Sequence, residues 1–256
     1  MHLYYRISDK SYDKPKLIGA TKEVCLMNFI KAFRDVVFGS GDFSELDENY
    51  VPPITIIADR CDRKTLKMLQ NTGLPISITD FGNAGSLLHT IQLAINNHKD
   101  DELVYFCEDD YLHLDSAPDL LLQGIEYADY VSLYDHPDKY TKFYNSGEYS
   151  KVIKTKGSHW RYTISTCMTF ASKVETLKTD FEIWKKHTSA SHPQDHVIFT
   201  ELGQNGRKLL IPIPGAACHT DLWLSSKFNE ILMEPWAIEM MIESLTSELL
   251  YTMGYE

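Results

Sequence analysis

The chain has 256 residues, 43% hydrophobic and 24% charged, and a formal net charge of −11. That is long enough to bury a full core, and the balance is that of an ordinary globular protein. The acidic excess excludes general nucleic-acid binding, which needs a basic footprint, but not anionic small molecules, because a bound metal ion can reverse the local field. No apolar run approaches the length of a membrane span, and Met1 to Arg6 does not read as a signal peptide. The cysteines (Cys25, Cys61, Cys107, Cys167 and Cys218) are odd in number, scattered, and in or beside apolar segments. Reduced thiols in a cytoplasmic protein fit this pattern better than a disulfide framework or a zinc ribbon.

Leu3 to Ile7 reads as a short apolar strand. From Thr21, a suitable N-cap, to Val37 the apolar residues fall at helical spacing. A polar loop runs from Gly39 to Asn49, and Ile54 to Ala58 is a β-branched strand that delivers Asp59, Arg60, Asp62 and Arg63 at its exit. A helix through Leu66 and Leu69 stops at Gly73, Ile76 to Phe81 is a strand, and Ala84 to Asn97 is an amphipathic helix. Val104 to Cys107 is a strand whose continuous hydrophobicity implies cover on both faces.

Beyond that strand the texture changes. Ala117 to Ala128 is helical, Tyr130 to Leu133 a strand, and Lys139 to Lys156 a polar, aromatic hairpin or excursion. Tyr162 to Phe170 reads as a strand, Val174 to His187 and Gln194 to Leu202 as helices, and Leu209 to Ile213 as a late strand leading to His219. Pro235 to Met253 is an amphipathic helix, expected to pack on the core or on a homodimer partner; its few basic residues argue against a membrane surface. The alternation in the first half implies an α/β fold with a mostly parallel sheet flanked by helices.

The densest chemistry lies at Glu108-Asp109-Asp110, directly after the buried strand. Adjacent carboxylates raise each other's pKa unless something positive sits among them. Clustered oxygens where a sheet opens suit Mn²⁺ or Mg²⁺, with positions left for substrate phosphates. Ligands of open α/β sheets bind beyond the carboxyl ends of strands, where these acids would lie. The alternative is an acidic strand exit that simply faces water.

The stretch from Glu108 to Asp119 resembles the Glu-Asp-Asp-Leu-Glu-Val-Ala-Pro-Asp segment of N-acetylglucosaminyltransferase I, with a two-residue offset before Ala117-Pro118-Asp119. The wider layout is similar to family 2 of the nucleotide-sugar glycosyltransferases with the Rossmann-like GT-A fold. The order of elements matches over residues 1–220, the specific motif over about a dozen. The resemblance implies a catalytic domain over 1–220, with a nucleotide-sugar half (1–115), an acceptor half (116–220) and a C-terminal helical extension (221–256). It implies a nucleoside-diphosphate sugar, UDP-sugar favoured, as donor and a glycan as acceptor. Asp110 would be the direct metal ligand, with Glu108 and Asp109 near the ribose and the metal-bound water. His219, after Pro214-Gly215-Ala216-Ala217-Cys218, would be a late second ligand in a small-residue loop.

By the same resemblance Asp59 would hold the nucleobase or ribose, although it also suits a helix N-cap in competition with Asp62. Arg6 and Arg63 could reach the base or diphosphate. Asn83 and Gly85 lie in a Gly-rich helix start that favours an anion or a sugar hydroxyl. An inverting transferase needs a carboxylate to take the acceptor proton, and Asp195 at a helix start fits the family's order, ahead of Glu182 or Asp180. Ordinary helix capping would look the same. Trp160 and Tyr162 are candidate acceptor contacts, or aromatics packed beneath the acceptor loop. A zinc site from His187, His192 and His196 is disfavoured because Pro193 starts a new element between the last two. A metal-dependent nucleotidyltransferase or phosphoesterase, or a non-catalytic carbohydrate-binding protein, are the competing readings.

Overall fold

The computed structural model describes residues 1–10, 16–17, 19–39, 50–135, 140, 150–220, 226–240 and 242. The first half follows the expected alternation: β1 (His2–Ser8), α1 (Lys22–Ala32), α2 (Arg34–Phe38), β2 (Ile54–Asp59), α3 (Arg63–Asn71), β3 (Ile76–Thr79), α4 (Gly82–Asn97) and β4 (Leu103–Glu108). Thr21 caps α1 by accepting from Val24 N at 3.2 Å, and Asp62 caps α3 by accepting from Thr65 N at 2.8 Å. The second half contains β5 (Tyr111–His113), α5 (Ala117–Gly124), β6 (Tyr130–Val131), β7 (Val152–Lys154), β8 (His159–Tyr162) and β9 (Phe170–Lys173). It continues with α6 (Val174–His187), α7 (Asp195–Gln204), β10 (Leu209–Ile213), β11 (Ala217–His219) and α8 (Ser226–Leu232).

One nine-stranded sheet runs β3-β2-β1-β4-β9-β6-β10-β8-β7, and β5 and β11 form a separate antiparallel ribbon. The sheet is parallel from β3 to β4 and mixed beyond, so both halves of the chain share it. Its two faces are covered, as the unbroken hydrophobicity of β4 requires. Leu3, Tyr5 and Ile7 point with Tyr105 and Cys107 toward α1, where Phe29 and Phe33 pack. Tyr4, Val104 and Phe106 point the other way, against Leu87 and Ile91 of α4 and Trp184 of α6. The alternation of side chains along each strand makes this division.

Two expectations change. The strand read over Tyr162 to Phe170 is a loop between β8 and β9, where Cys167 and Met168 both take left-handed backbone, with φ of 50° and 60°. That geometry cannot continue a strand and costs on the order of 1–3 kcal/mol per residue unless its surroundings hold it. His219 does not sit in a loop but ends β11, paired with Tyr111 of β5. In the C-terminal extension, Phe228 of α8 and Ala237 are buried in the core cluster, and Lys31 of α1 bonds Glu234 at 3.0 Å. The rest of the expected terminal helix beyond 242, and most of the 139–156 excursion, fall outside the described residues. No described helix is long and apolar enough to cross a membrane, and all five cysteines are thiols outside any disulfide.

The ribbon is pinned to the core through His113. Its main-chain N–H donates to Asn28 Oδ1 at 2.6 Å, its carbonyl accepts from Asn28 Nδ2 at 3.1 Å, and its Nε2 lies 2.8 Å from the Tyr105 hydroxyl. Burial pushes the imidazole down from 6.5 to about 3. Because the folded value lies below the unfolded one, the stability from neutral His113 is fully present above pH 6.5 and is lost as pH falls toward 3. A His113→Gln variant should therefore show a shallower acid limb than the parent in urea unfolding across that range. In the parent, the His113 ring resonance should stay that of the neutral form at pH 5.5, and one that titrates near 6.5 would contradict the burial argument.

Candidate active site

β2 and β3 lie on one side of β1 and β4 on the other, so strand order reverses between β1 and β4. Connections leaving in opposite directions open a crevice at the carboxyl ends of those strands. A cleft occupies that position. Arg6, Ser8 and Lys10 line it from β1 and the turn beyond, Asn83 and Ser86 from α4, and Glu108, Asp109 and Asp110 from the end of β4. His219 closes one side. The ribbon brings it there: His219 pairs with Tyr111, and Thr220 N donates to Asp110 O at 2.8 Å.

Each acid of the triplet has its own cation. Arg6 Nη1 donates to Glu108 Oε1 at 3.1 Å, and its Nη2 donates to the Asn83 carbonyl at 2.8 Å and to Asn83 Oδ1 at 2.9 Å. Arg6 is 6% exposed and ties β1, β4 and α4 together. Burial, reinforced by Asp110 and Asp109 against the opposing pull of Arg6, pushes the Glu108 carboxyl up to about 7. Asp109 accepts from Ser8 N at 3.2 Å and faces Lys22 Nζ at 3.4 Å; burial and then Asp110 raise its pKa. Burial works to lower Lys22, but Asp109 and Asp9 outweigh it and hold the ammonium above its ordinary value. Asp110 Oδ2 lies 3.0 Å from His219 Nε2 and 3.8 Å from Lys16 Nζ.

Among the described residues no three His, Cys, Asp or Glu side chains form a ready metal cage. The Asp110 carboxylate and the His219 imidazole nevertheless fit a divalent ion as an oxygen and a nitrogen donor. Ions such as Mn²⁺ and Mg²⁺ commonly take one or two protein groups and leave the remaining positions to phosphate and water.

The other residues singled out in the sequence divide. Asn83 reaches the cleft, with its carbonyl and side-chain oxygen both engaged by Arg6. Asp59 also borders it, yet is 2% exposed and accepts from Thr79 Oγ1 at 2.9 Å, Phe81 N at 2.7 Å and Gly82 N at 3.0 Å. It thus holds the start of α4, while Asp62 caps α3. Gly82 needs its freedom, since its φ is +76° and a Cβ would meet Arg60 Nη1 at 3.0 Å. Gly85 and Arg63 do not line the cleft, and Arg63 is exposed at the start of α3. Asp195 begins α7, where its Oδ1 accepts from Thr166 Oγ1 at 2.7 Å and Met168 N at 3.4 Å, and its Oδ2 from Thr166 N at 2.9 Å.

Trp160 is a correction. It is fully buried, with its Nε1 donating to Thr155 Oγ1 at 2.9 Å, and Gly124 packs so closely that a Cβ there would meet Trp160 Cζ3 at 2.9 Å. No ring face is left for a sugar. Tyr162 is half-buried and lines a separate depression with Phe199 and Arg207. Sequence reasoning missed Lys16, Lys22 and Ser8. The signal for the lysines was the triplet itself, which demands positive charge, but nothing local in sequence says which residues deliver it.

No known protein-family profile matches the chain, and no curated protein matches it in sequence. Solved structures are similar in outline. The inositol-1-phosphate CTP transferase from T. maritima has 13% identity and a TM-score of 0.48, over 91% of this chain and 95% of that one. The 4-diphosphocytidyl-2C-methyl-D-erythritol synthase from Anaerococcus prevotii has 11% identity and a TM-score of 0.44, over 91% and 93%. The galactosyltransferase LgtC, in complex with donor and acceptor sugar analogues, has 12% identity and a TM-score of 0.44, over 82% and 73%. At this level of similarity no residue of those proteins is matched to one of this chain.

The hydrogen bonds of Asp59 make a direct prediction. Replacing it by Ala leaves two main-chain donors at the head of α4 and the Thr79 hydroxyl of β3 without their acceptor and should cost about 2 kcal/mol in urea unfolding. A variant of parental stability would remove the structural role and return Asp59 to the set of ligand contacts.

Proposed function

We propose that this protein is a transferase acting on a nucleotide-activated sugar. More finely, it is a metal-dependent, inverting glycosyltransferase that moves the sugar of a nucleoside-diphosphate sugar, UDP-sugar favoured, to a hydroxyl of a glycan acceptor. The observation that carries this reading is the contact between Asp110 and His219, 3.0 Å apart at the β1/β4 crevice and flanked by Glu108 and Asp109. A carboxylate and an imidazole far apart in sequence converge where open α/β sheets take their ligands.

In this reading Asp110 and His219 hold Mn²⁺ or Mg²⁺, which when bound supplies Lewis-acid stabilisation of the charge on the departing nucleoside diphosphate. Glu108 and Asp109 face the ribose and the water around that site. Arg6 fixes Glu108 against Asn83, so the donor-side wall is set before substrate enters and little reorganisation remains at the moment of reaction. Asp195 is the base that takes the acceptor proton. Its Oδ1 is committed to the 163–169 loop, while its Oδ2 accepts only from Thr166 N among the described residues and keeps a lone pair for a hydroxyl. The same loop reaches the acids, because the Cys167 carbonyl accepts from the Tyr111 hydroxyl at 3.1 Å and the Tyr111 ring meets His219 edge-on at 5.0 Å.

Thermal shift or calorimetry with UDP, GDP and CMP, each with and without Mn²⁺, tests the donor side. The expected result is a metal-dependent shift with one nucleoside diphosphate that Asp110→Asn abolishes while the melting temperature of the free protein stays near the parent's. An Asp110→Asn variant that keeps the full metal-dependent shift sinks the assignment. Release of pyrophosphate from a nucleoside triphosphate, in place of nucleoside diphosphate from a sugar donor, would make the protein a nucleotidyltransferase.

Asp195→Asn should retain donor binding and lower transfer by about 100-fold or more, the usual effect of removing a general base. Unchanged turnover in that variant would leave Asp195 as a loop anchor alone.

A further inference from the structure

Among the described residues, three Lys and Arg side chains form ion pairs with the three adjacent carboxylates, and two of those are locked. The Arg6 guanidinium is shared between Glu108 and Asn83. The Lys22 ammonium has an acceptor for each of its three protons: Asp9 Oδ1 at 2.7 Å, Asp109 Oδ2 at 3.4 Å and the Ser8 carbonyl. Lys16 is different. Its Nζ stands 3.8 Å from Asp110 Oδ2, an ion-pair distance beyond hydrogen-bond length, and that oxygen already faces His219 at 3.0 Å. The backbone beside Lys16 is nonetheless fastened to the site. Leu17 N donates to Thr220 O at 3.2 Å, and Thr220 N donates to Asp110 O at 2.8 Å. The backbone that carries the stem is therefore tied to Asp110 through Thr220, whatever the ammonium contacts.

We propose that Lys16 is the displaceable counter-ion of Asp110. In the free protein its ammonium neutralises the carboxylate; when a divalent ion takes Asp110 and His219, the ammonium is repelled and turns to an anionic oxygen of the bound diphosphate. This rests on the metal role assigned above to Asp110 and His219, and it adds a consequence. A divalent ion arriving alone must expel a positive charge from its carboxylate partner, whereas an ion arriving with a diphosphate supplies that charge with a new one. Lys16 thereby couples metal binding to nucleotide binding, and the coupling is reciprocal.

The test is calorimetric titration of the full chain with Mn²⁺ alone and with Mn²⁺ in the presence of UDP, for the parent, Lys16→Met and Lys16→Arg. Lys16→Met keeps the length of the stem and removes the charge. It should bind Mn²⁺ alone on the order of tenfold more tightly than the parent, since a like charge within a few ångströms shifts a neighbouring charge equilibrium by about a unit or more. UDP should then improve its Mn²⁺ affinity less than it improves the parent's, and Lys16→Arg should behave as the parent. A Lys16→Met protein with parental Mn²⁺ affinity and parental coupling to UDP overturns the proposal and leaves the metal site standing. Absence of Mn²⁺ binding in all three proteins, with UDP present, overturns the metal reading and the proposal together.

Discussion

Three carboxylates in a row at the mouth of a buried strand are a repulsive arrangement, and much of the cleft exists to make it tolerable. Burial disfavours each charge, and each charge disfavours its neighbours, which is why Glu108 and Asp109 both titrate above their ordinary range. The compensation comes from separate elements: β1 sends Arg6, α1 sends Lys22, the segment before α1 sends Lys16, and β11 sends His219. A strained electrostatic arrangement held by many parts of the fold is costly to maintain, and such sites concentrate where chemistry is done.

The strand order makes this convergence possible. Because β4 inserts beside β1 on the side away from β2, the ends of β1 and β4 lie next to each other, with adjacent connections leaving in opposite directions. Arg6 and Glu108 are register partners across that pair, so their ion pair follows from the parallel ladder itself. The ribbon of β5 and β11 then reaches the side of the opening with His219. Asn28 fixes its base through both main-chain groups of His113, and its far end carries His219 to Asp110.

The loop at the head of α7 is built on strain instead of charge. Cys167 and Met168 stand in left-handed backbone that neither residue favours. Asp195 gathers Thr166 and Met168 around one carboxylate and so holds the turn in place from the head of α7. The Cys167 carbonyl then accepts from the hydroxyl of Tyr111, the residue that follows the acids, which ties the turn to them. Through this chain of contacts the head of α7 and the end of β4 are set relative to one another.

Local pattern was enough for much of this molecule. The continuous apolar run of β4, the β-branched run of β2 and the 3.6-residue spacing of α1, α4 and α6 mark their elements because burial on one face or both imposes those periods on any sequence that folds this way. The acids after β4 were legible as a candidate site for an electrostatic reason: such a run is unfavourable without a partner. Tertiary structure decided what has no local signature. The turn of Cys167 and Met168 looks like a strand in sequence, since the Thr166 hydroxyl that accepts from Met168 N at 3.0 Å is itself held by an acceptor distant in sequence, Asp195 on α7. Trp160 looks like a surface aromatic, but Gly124 and Thr155 enclose it. Asp62 reads as a helix cap and is one, whereas Asp59 at the strand tip reads as a ligand contact, yet the position of α4 makes it the anchor of the next helix. Which cation meets which carboxylate depended on where four separate elements come together, and the residues around each cation say nothing about that.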